Sequence, residues 1–247
     1  MASDAFHRLS SLLFGAGERY RTARATVRHR RRGDLATEAE ARYTEHGFRR
    51  GILTNFDPPF DVPRYREYAD LDERSRLWHE RPDRWRQETD AGDGPGTNYR
   101  VSDGRGPWWS YGASGHALHS PSNDGGFSPE VELSCLLDPY EIRYGLGDCE
   151  LRILGGAERL GRETVEVEAT AVSWDYAPVG PFWDGADDYK ISVDAQVGTI
   201  LRFASRFRGE ECDVFEVTGL AFDEAFPEGT FALDLPGVEF ERVDLLD

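Results

Sequence analysis

The sequence predicts an α+β fold: a curved antiparallel β-sheet wrapped over one or two N-terminal helices, in a single domain spanning 1–247. Three observations predict it. Residues 4–21 carry an apolar stripe at helical spacing. After residue 75, apolar and polar side chains alternate with the period of a strand. Turn-forming residues separate those stretches at hairpin length, and successive hairpins build an antiparallel meander. A sheet of that extent must bury its apolar face, and the leading helix is the obvious cover.

In 4–21, Phe6, Leu9, Leu13, Ala16 and Tyr20 fall three and four residues apart, and Ser3 or Asp4 can cap the start. Gly15 and Gly17 weaken this helix by about 1 kcal/mol each relative to alanine, so it needs a surface to pack on. Arg24 to Arg32 reads as a first strand. A second helix is expected over 35–46, with Asp34 as its cap and Glu38 and Arg42 as an i,i+4 pair. Residues 55–73 contain Pro58, Pro59 and Pro63 and read as an irregular excursion.

Strands at 75–80 and 84–89 flank the turn triplet Arg81-Pro82-Asp83. The loop Asp90 to Gly96 precedes a strand at Tyr99–Ser102. Asp103-Gly104 then turns the chain into Trp108–Tyr111. A loop over 121–127 leads to a short helix around Val131–Leu137. The clearest alternation lies in Val165–Ala171, Tyr189–Val193 and Leu201–Arg208. Turns are expected at Gly155-Gly156, at 194–198 and at Gly209-Glu210-Glu211.

Composition narrows the function classes. An aromatic share of 12% argues against disorder. The formal charge is −17, distributed unevenly: residues 1–90 hold 18 Arg against 16 Asp and Glu, and the remainder 11 basic against 30 acidic residues. Such a chain repels nucleic acid and anionic lipid, so no nucleic-acid partner is expected. Leu12-Leu13-Phe14 is broken at once by glycine and arginine, so the N-terminus does not read as a secretory signal. No window approaches the ~18 apolar residues of a membrane span. Cys135, Cys149 and Cys212 have neither zinc nor disulfide-framework spacing, although a Cys135–Cys149 bridge stays open as an alternative. The expected location is therefore cytoplasmic.

Five segments resemble the LolA-like lipoprotein-carrier superfamily, in particular its actinobacterial members. They are Arg19-Tyr20-Arg21-Thr22-Ala23 leading from helix to strand; the hairpin from Trp78-His79-Glu80 through Arg81-Pro82-Asp83 to Arg84-Trp85-Arg86; and Val101-Ser102-Asp103-Gly104 followed by Trp108-Trp109-Ser110-Tyr111. The last two are Leu160-Gly161-Arg162-Glu163-Thr164-Val165, and Val193-Asp194 to Gly198 with Leu201-Arg202. The resemblance implies a half-barrel whose concave face holds a hydrophobic groove beneath helices. In the carriers that groove takes acyl chains, and the same fold serves as a sensor domain in envelope-stress pathways. The chain departs from the carriers in lacking a signal or a lipidation cysteine near its start. Ferrying lipoproteins across an envelope is therefore not expected of it.

The residues expected to line the groove are Trp78, Trp85, Trp108, Trp109, Tyr111, Leu13 and Phe203; Trp174 and Trp183 complete the aromatic set. Large amphipathic rings suit a ligand groove, and the plainer reading is sheet core. Trp108 and Trp109 must face opposite sides of a strand, one toward the helices and one toward a groove, an interface or a second layer. His116 and His119 could meet a metal only from a helix, and no third ligand is near, so no metal or other cofactor is expected. Asp184, Asp187 and Asp188 could hold calcium, but an acidic hairpin tip is the simpler reading. The run Arg28 to Arg32 is expected to pair with acids of later strands. Gly112-Ala113-Ser114-Gly115 is not a nucleophile elbow, and Gly92 to Gly96 is not a phosphate loop.

The expected function is a non-catalytic binding protein for a hydrophobic small molecule, lipid or acyl chain held between sheet and helices. The alternative is a protein-interaction or regulatory module with a filled core. An enzyme is the third reading, and would require perturbed acids or bases converging in a cleft.

Overall fold

The computed structural model describes residues 2–49, 66–90, 96–122, 129–140, 142–147, 149–172 and 180–243, with the side chains of 2–6, 47–49, 143 and 144 outside that description. In chain order the elements are α1 (Ala2–Phe14), β1 (Thr22–Arg31), α2 (Gly33–Arg49), β2 (Leu71–Glu80), β3 (Arg84–Asp90), β4 (Thr97–Asp103), β5 (Trp108–Tyr111) and β6 (Ala117–Ser120). There follow α3 (Val131–Leu137), α4 (Arg143–Gly147), β7 (Cys149–Arg159), β8 (Arg162–Ala171), β9 (Asp188–Asp194), β10 (Ile200–Phe207), β11 (Glu210–Phe222) and β12 (Glu241–Arg242).

All twelve strands join one curved, unclosed sheet in the order β12-β6-β5-β4-β3-β2-β1-β11-β10-β9-β8-β7. The pairing is antiparallel except where β12 adds parallel to β6. β1 is the hub. It pairs with β2 on one side and, across nearly the whole chain, with β11 on the other. The sheet is therefore two meanders flanking the first strand, which the sequence did not disclose.

Side-chain alternation then defines two faces. On the concave face Ala23, Ala25 and Val27 of β1 meet Leu77 of β2, Val217 of β11, Phe203 of β10 and Ile191 of β9 in one buried cluster. α1 contributes Leu9 and Leu13, α3 contributes Leu133, Leu136 and Leu137, and Ile142 and Leu146 join from the α4 region. Leu136, Phe203 and Ile200 are fully buried. Burial of side chains of this size contributes roughly 1.5–3 kcal/mol each. α2 packs Leu35 and Ala39 on Phe207 and Cys212 at the β10–β11 end.

The convex face carries ion pairs, such as Lys190 with Glu168 beside Arg152, and Arg206 with Asp188. The basic run behaves as expected: Arg30 meets Glu216, Arg31 meets Asp213 and Arg32 meets Glu210, while Arg28 takes Asp72 of the neighbouring strand. One convex region is covered. Arg86 donates to the Thr230 and Ala232 carbonyls, and the Arg84 guanidinium lies over Phe231. The segment from Phe226 to β12 is thus a strap across β3 and β4, burying Phe231, Leu233 and Val101.

Several expectations are corrected. The first helix stops at Phe14 rather than 21, because Gly15 interrupts it and a 3-10 turn, Ala16–Glu18, follows. Its terminal carbonyls are satisfied from outside: the Arg19 guanidinium donates to Ser11 and Leu12, and also to Val197 of the β9–β10 turn. Gly155-Gly156 is not a turn but lies within β7, just after a bulge at Leu154; the chain reverses at Leu160-Gly161. The later reversal uses Arg208-Gly209, and Glu210 and Glu211 already belong to β11. Of the 55–73 excursion, 71–73 open β2, while 55–65 lie outside the described residues. The second helix forms but runs Gly33–Arg49, so Asp34 lies in its first turn, and Glu38 and Arg42 reach out of the helix to Arg208 and Asp187 instead of forming the expected i,i+4 pair; the 131–137 helix forms where expected.

Candidate functional site

Two clefts border the concave core among the described residues. The first lies where the expected groove should be, between α1 and the β7–β8 end of the sheet. It measures about 520 Å³ and is bounded by Leu9 and Leu12 of α1, with Ile153 and Val165 on the sheet and Arg8 and Glu163 among its polar residues. That volume falls in the ordinary range of small-molecule pockets. Its origin is local. β7 is bulged at Leu154, between Ile153 and Gly155, and the two glycines that follow it border the cleft. Gly156 pairs with Val165, whose side chain faces the core, and within 4 Å a Cβ there would meet only the Thr164 carbonyl oxygen, at 3.4 Å, so Gly156 offers a position without a side chain to the cleft. Where the sheet withholds side chains, the helix has nothing to interlock with.

The helix is nevertheless held closely at its other end. Gly198 has φ +92°, and a Cβ there would lie 2.0 Å from the Leu12 carbonyl oxygen. Asp194, fully buried, accepts from the Gln196 and Val197 N–H groups at 2.9 and 2.7 Å and is clamped by Arg162. Burial alone would raise its carboxyl, but Arg162 and the turn N–H groups hold it below the usual range.

The second cleft, about 750 Å³, lies at the other end of the concave face, among β1, β2, α2, α3 and the approach to β9. Asp213 is buried at its base, bonded to His29 Nε2 at 2.8 Å and to Arg31 Nε at 2.9 Å. His29 also stacks on Phe215, with centroids 3.9 Å apart. Trp183 and Tyr68 form an aromatic wall, edge to face at 4.8 Å. Burial pushes the Asp184 carboxyl up to about 6, and the nearby Glu40 adds to the shift. Burial and a hydrogen bond to Glu40 push the Tyr68 hydroxyl up to about 12. A perturbed acid in a cleft is the feature that the enzyme reading requires.

None of the seven expected groove residues borders either cleft. Leu13 and Phe203 are core. Trp85 packs against the core on the concave side and stacks on His79 at 3.7 Å, while Trp108 is buried. Trp78, Trp109 and Tyr111 face the convex side: Trp78 pairs with Arg86, Trp109 with His119 and Tyr111 with Tyr99. Trp108 and Trp109 do point opposite ways, and Trp109 shares the strap-covered face with Val101. Trp174 lies outside the described residues. His119 stacks on Trp109 at 5.2 Å. The aspartates are no hairpin tip: Asp187 takes Arg42 at 2.7 Å, Asp188 opens β9 against Arg206, and Asp184 enters the second cleft. None of the three cysteines is in a disulfide, and burial pushes the Cys212 thiol up to about 12. Sequence reasoning missed Leu12, Ile153 and Gly156. The Gly-Gly pair was the available signal, and it reads equally well as a turn.

No protein-family model matches this chain, and no curated protein matches it by sequence. Solved structures do. MucB in the Pseudomonas aeruginosa MucA/MucB complex is 15% identical, with a TM-score of 0.51 over 94% of this chain and 61% of that one. An uncharacterised conserved protein from Thermus thermophilus is 11% identical, with a TM-score of 0.49 over 98% and 99% of the two chains. A LolA superfamily protein from Nitrosomonas europaea is 9% identical, with a TM-score of 0.36 over 91% and 97%. The chain thus spans about three fifths of MucB, and at such identities the likeness concerns fold alone. The class it defines is the α+β half-barrel: a curved antiparallel sheet with helices in its concavity.

Proposed function

We propose that this half-barrel is a non-catalytic binding protein that takes a single-chain amphiphile into the cleft between α1 and β7–β8. The observation that carries the reading is the cleft itself: about 520 Å³, on the concave face, walled by Leu9, Leu12, Ile153 and Val165. An apolar chain would lie along these residues, gaining about 0.8 kcal/mol per CH2 group buried. Arg8 supplies a cation for an acidic head group. The wider acyl groove implied by the resemblance to lipoprotein carriers is occupied by the protein's own Leu133, Leu136 and Leu137, so the ligand is small. A cytoplasmic, reducing location is part of this proposal and fits three cysteines outside any disulfide.

The experiment is a titration with cis-parinaric acid, whose fluorescence rises in apolar surroundings. The parent should bind one molecule. Gly156→Leu, which fills the cleft from the sheet side, should weaken binding at least about tenfold, or about 1.4 kcal/mol, without lowering the melting temperature. Absence of binding in the parent, or equal binding in the variant, would overturn the proposal.

A second reading, a protein partner, is favoured by one feature. β7 ends the sheet, and among the described residues its outer edge is unpaired over Cys149–Arg159, with Leu154 46% exposed. Such an edge can accept an added strand. MucB, of similar fold, was solved in complex with MucA. A partner bound this way should protect the Cys149–Arg159 amides from hydrogen exchange, and unchanged exchange on binding would exclude this edge.

A further inference from the structure

We propose that the second cleft is a separate site for an organic cation with an aromatic or apolar body, an arylalkylamine in chemical class. The cavity measures about 750 Å³, large enough for such a molecule. Its walls come from distant parts of the chain, and each brings a carboxylate: Glu40 from α2, Glu73 from β2, Glu130 and Glu132 from the start of α3, and Asp184 ahead of β9. The opposing basic groups of the lining, His29 and Arg31, are both committed to the buried Asp213. The cleft therefore has an excess of negative charge that no described side chain of its lining offsets, and anions are disfavoured there.

The aromatic wall shows the matching chemistry within the protein. The Arg31 guanidinium lies 4.3 Å from the Trp183 ring centroid and 5.3 Å from that of Tyr68, and Arg66 lies 5.0 Å from Tyr68. These rings already hold cations against their faces. The carboxylate best placed to meet an incoming ammonium is Asp184. It is half-buried and makes no hydrogen bond or ion pair among the described residues. Its position is fixed by the next residue. A Cβ at Gly185, φ +76°, would lie 1.9 Å from the Ala39 carbonyl oxygen, so this segment sits hard against α2 and brings Asp184 into the field of Glu40. Two carboxyls share a partly desolvated space, and burial with Glu40 holds Asp184 up near 6. An ammonium group there replaces repulsion by attraction. A neutral ligand of the same shape gains none of this.

The test is isothermal titration of the full chain with 2-phenylethylamine and, separately, with its uncharged near-isostere 2-phenylethanol. The amine should bind, and the alcohol should bind at least about tenfold more weakly. Asp184→Asn and Glu40→Gln should each weaken the amine about fivefold or more and leave cis-parinaric acid binding in the first cleft unchanged. Glu132→Gln, on α3, carries the test if either variant fails to fold. Equal affinity for amine and alcohol, no binding of the amine, or undiminished amine affinity in the variants would overturn the proposal.

Discussion

Half-buried Asp184 and buried His79 lie at opposite ends of the concave face and pull the pH dependence of stability in opposite directions. Asp184 is raised from 3.8 to about 6, by burial first and Glu40 second, so the folded state binds its proton more tightly than the unfolded chain. The stability it contributes is full below about 3.8 and is lost as pH rises through about 6. At roughly 1.4 kcal/mol per unit, this is about 2–3 kcal/mol. Asp184→Asn should therefore raise the melting temperature at pH 7 and leave it nearly unchanged near about pH 3.5; parallel melting profiles would contradict the assignment. His79 is lowered from 6.5 to about 4, chiefly by burial, with Arg81 adding repulsion. It accepts or donates at 2.8 Å to the Tyr20 hydroxyl and stacks on Trp85. Its contribution is full above about 6.5 and is lost as pH falls through about 4. Its ring should stay neutral at about pH 5 by NMR, and a midpoint near 6.5 would show that the site is open to water. At Gly198, a side chain would combine an αL-side backbone with a clash at Leu12, so Gly198→Ala should cost about 1–3 kcal/mol in denaturant unfolding.

At the scale of elements, α1 and the C-terminal strap are two covers on opposite faces of one sheet. α1 sinks Leu9 and Leu13 among strand residues. Leu13→Asp places a charge between helix and sheet at a cost of several kcal/mol, and should unfold the protein or drive it to dimerise. A melt indistinguishable from the parent would remove the packing claim. The strap buries Phe231 on the convex side, so Phe231→Ala should cost about 3 kcal/mol by denaturant titration. α1 was legible because its stripe obeys helical spacing, but its end was not: Gly15 could be read as a weak point inside the helix, and the Arg19 guanidinium that takes the Ser11 and Leu12 carbonyls is itself held by the Val197 carbonyl far along the chain. α3 forms where the sequence suggested a short helix, around Val131–Leu137. The β7 bulge was not legible, since Gly-Gly permits either a turn or a bulge and the pairing with β8 decides. The strap had no signal, because its cover depends on Arg84 and Arg86 far earlier in the chain.

At the scale of the molecule, alternation of apolar and charged side chains after residue 75 was enough to foresee a curved antiparallel sheet over helices. It could not show that β1 divides that sheet in two, since strand order is a property of pairing and not of pattern. The candidate site was less legible still. The aromatic residues stand out in sequence, yet Trp78 and Trp109 turn to the convex side while Trp85 and Trp108 turn inward. The cleft beside α1 arises where Gly155 and Gly156 leave space, and missing side chains leave no aromatic or charged trace. The second cleft gathers Glu40, Glu73, Glu130 and Asp184 from four stretches that only the fold brings together.

The central claim is that the space beside α1 is a binding site. Methyl NMR on addition of palmitate tests it most directly. The methyl signals of Leu9, Leu12, Ile153 and Val165 should shift together and saturate, with those of Val101 on the convex face and Leu233 in the strap unmoved. Shifts confined to the strap side, or none at all, would contradict the account.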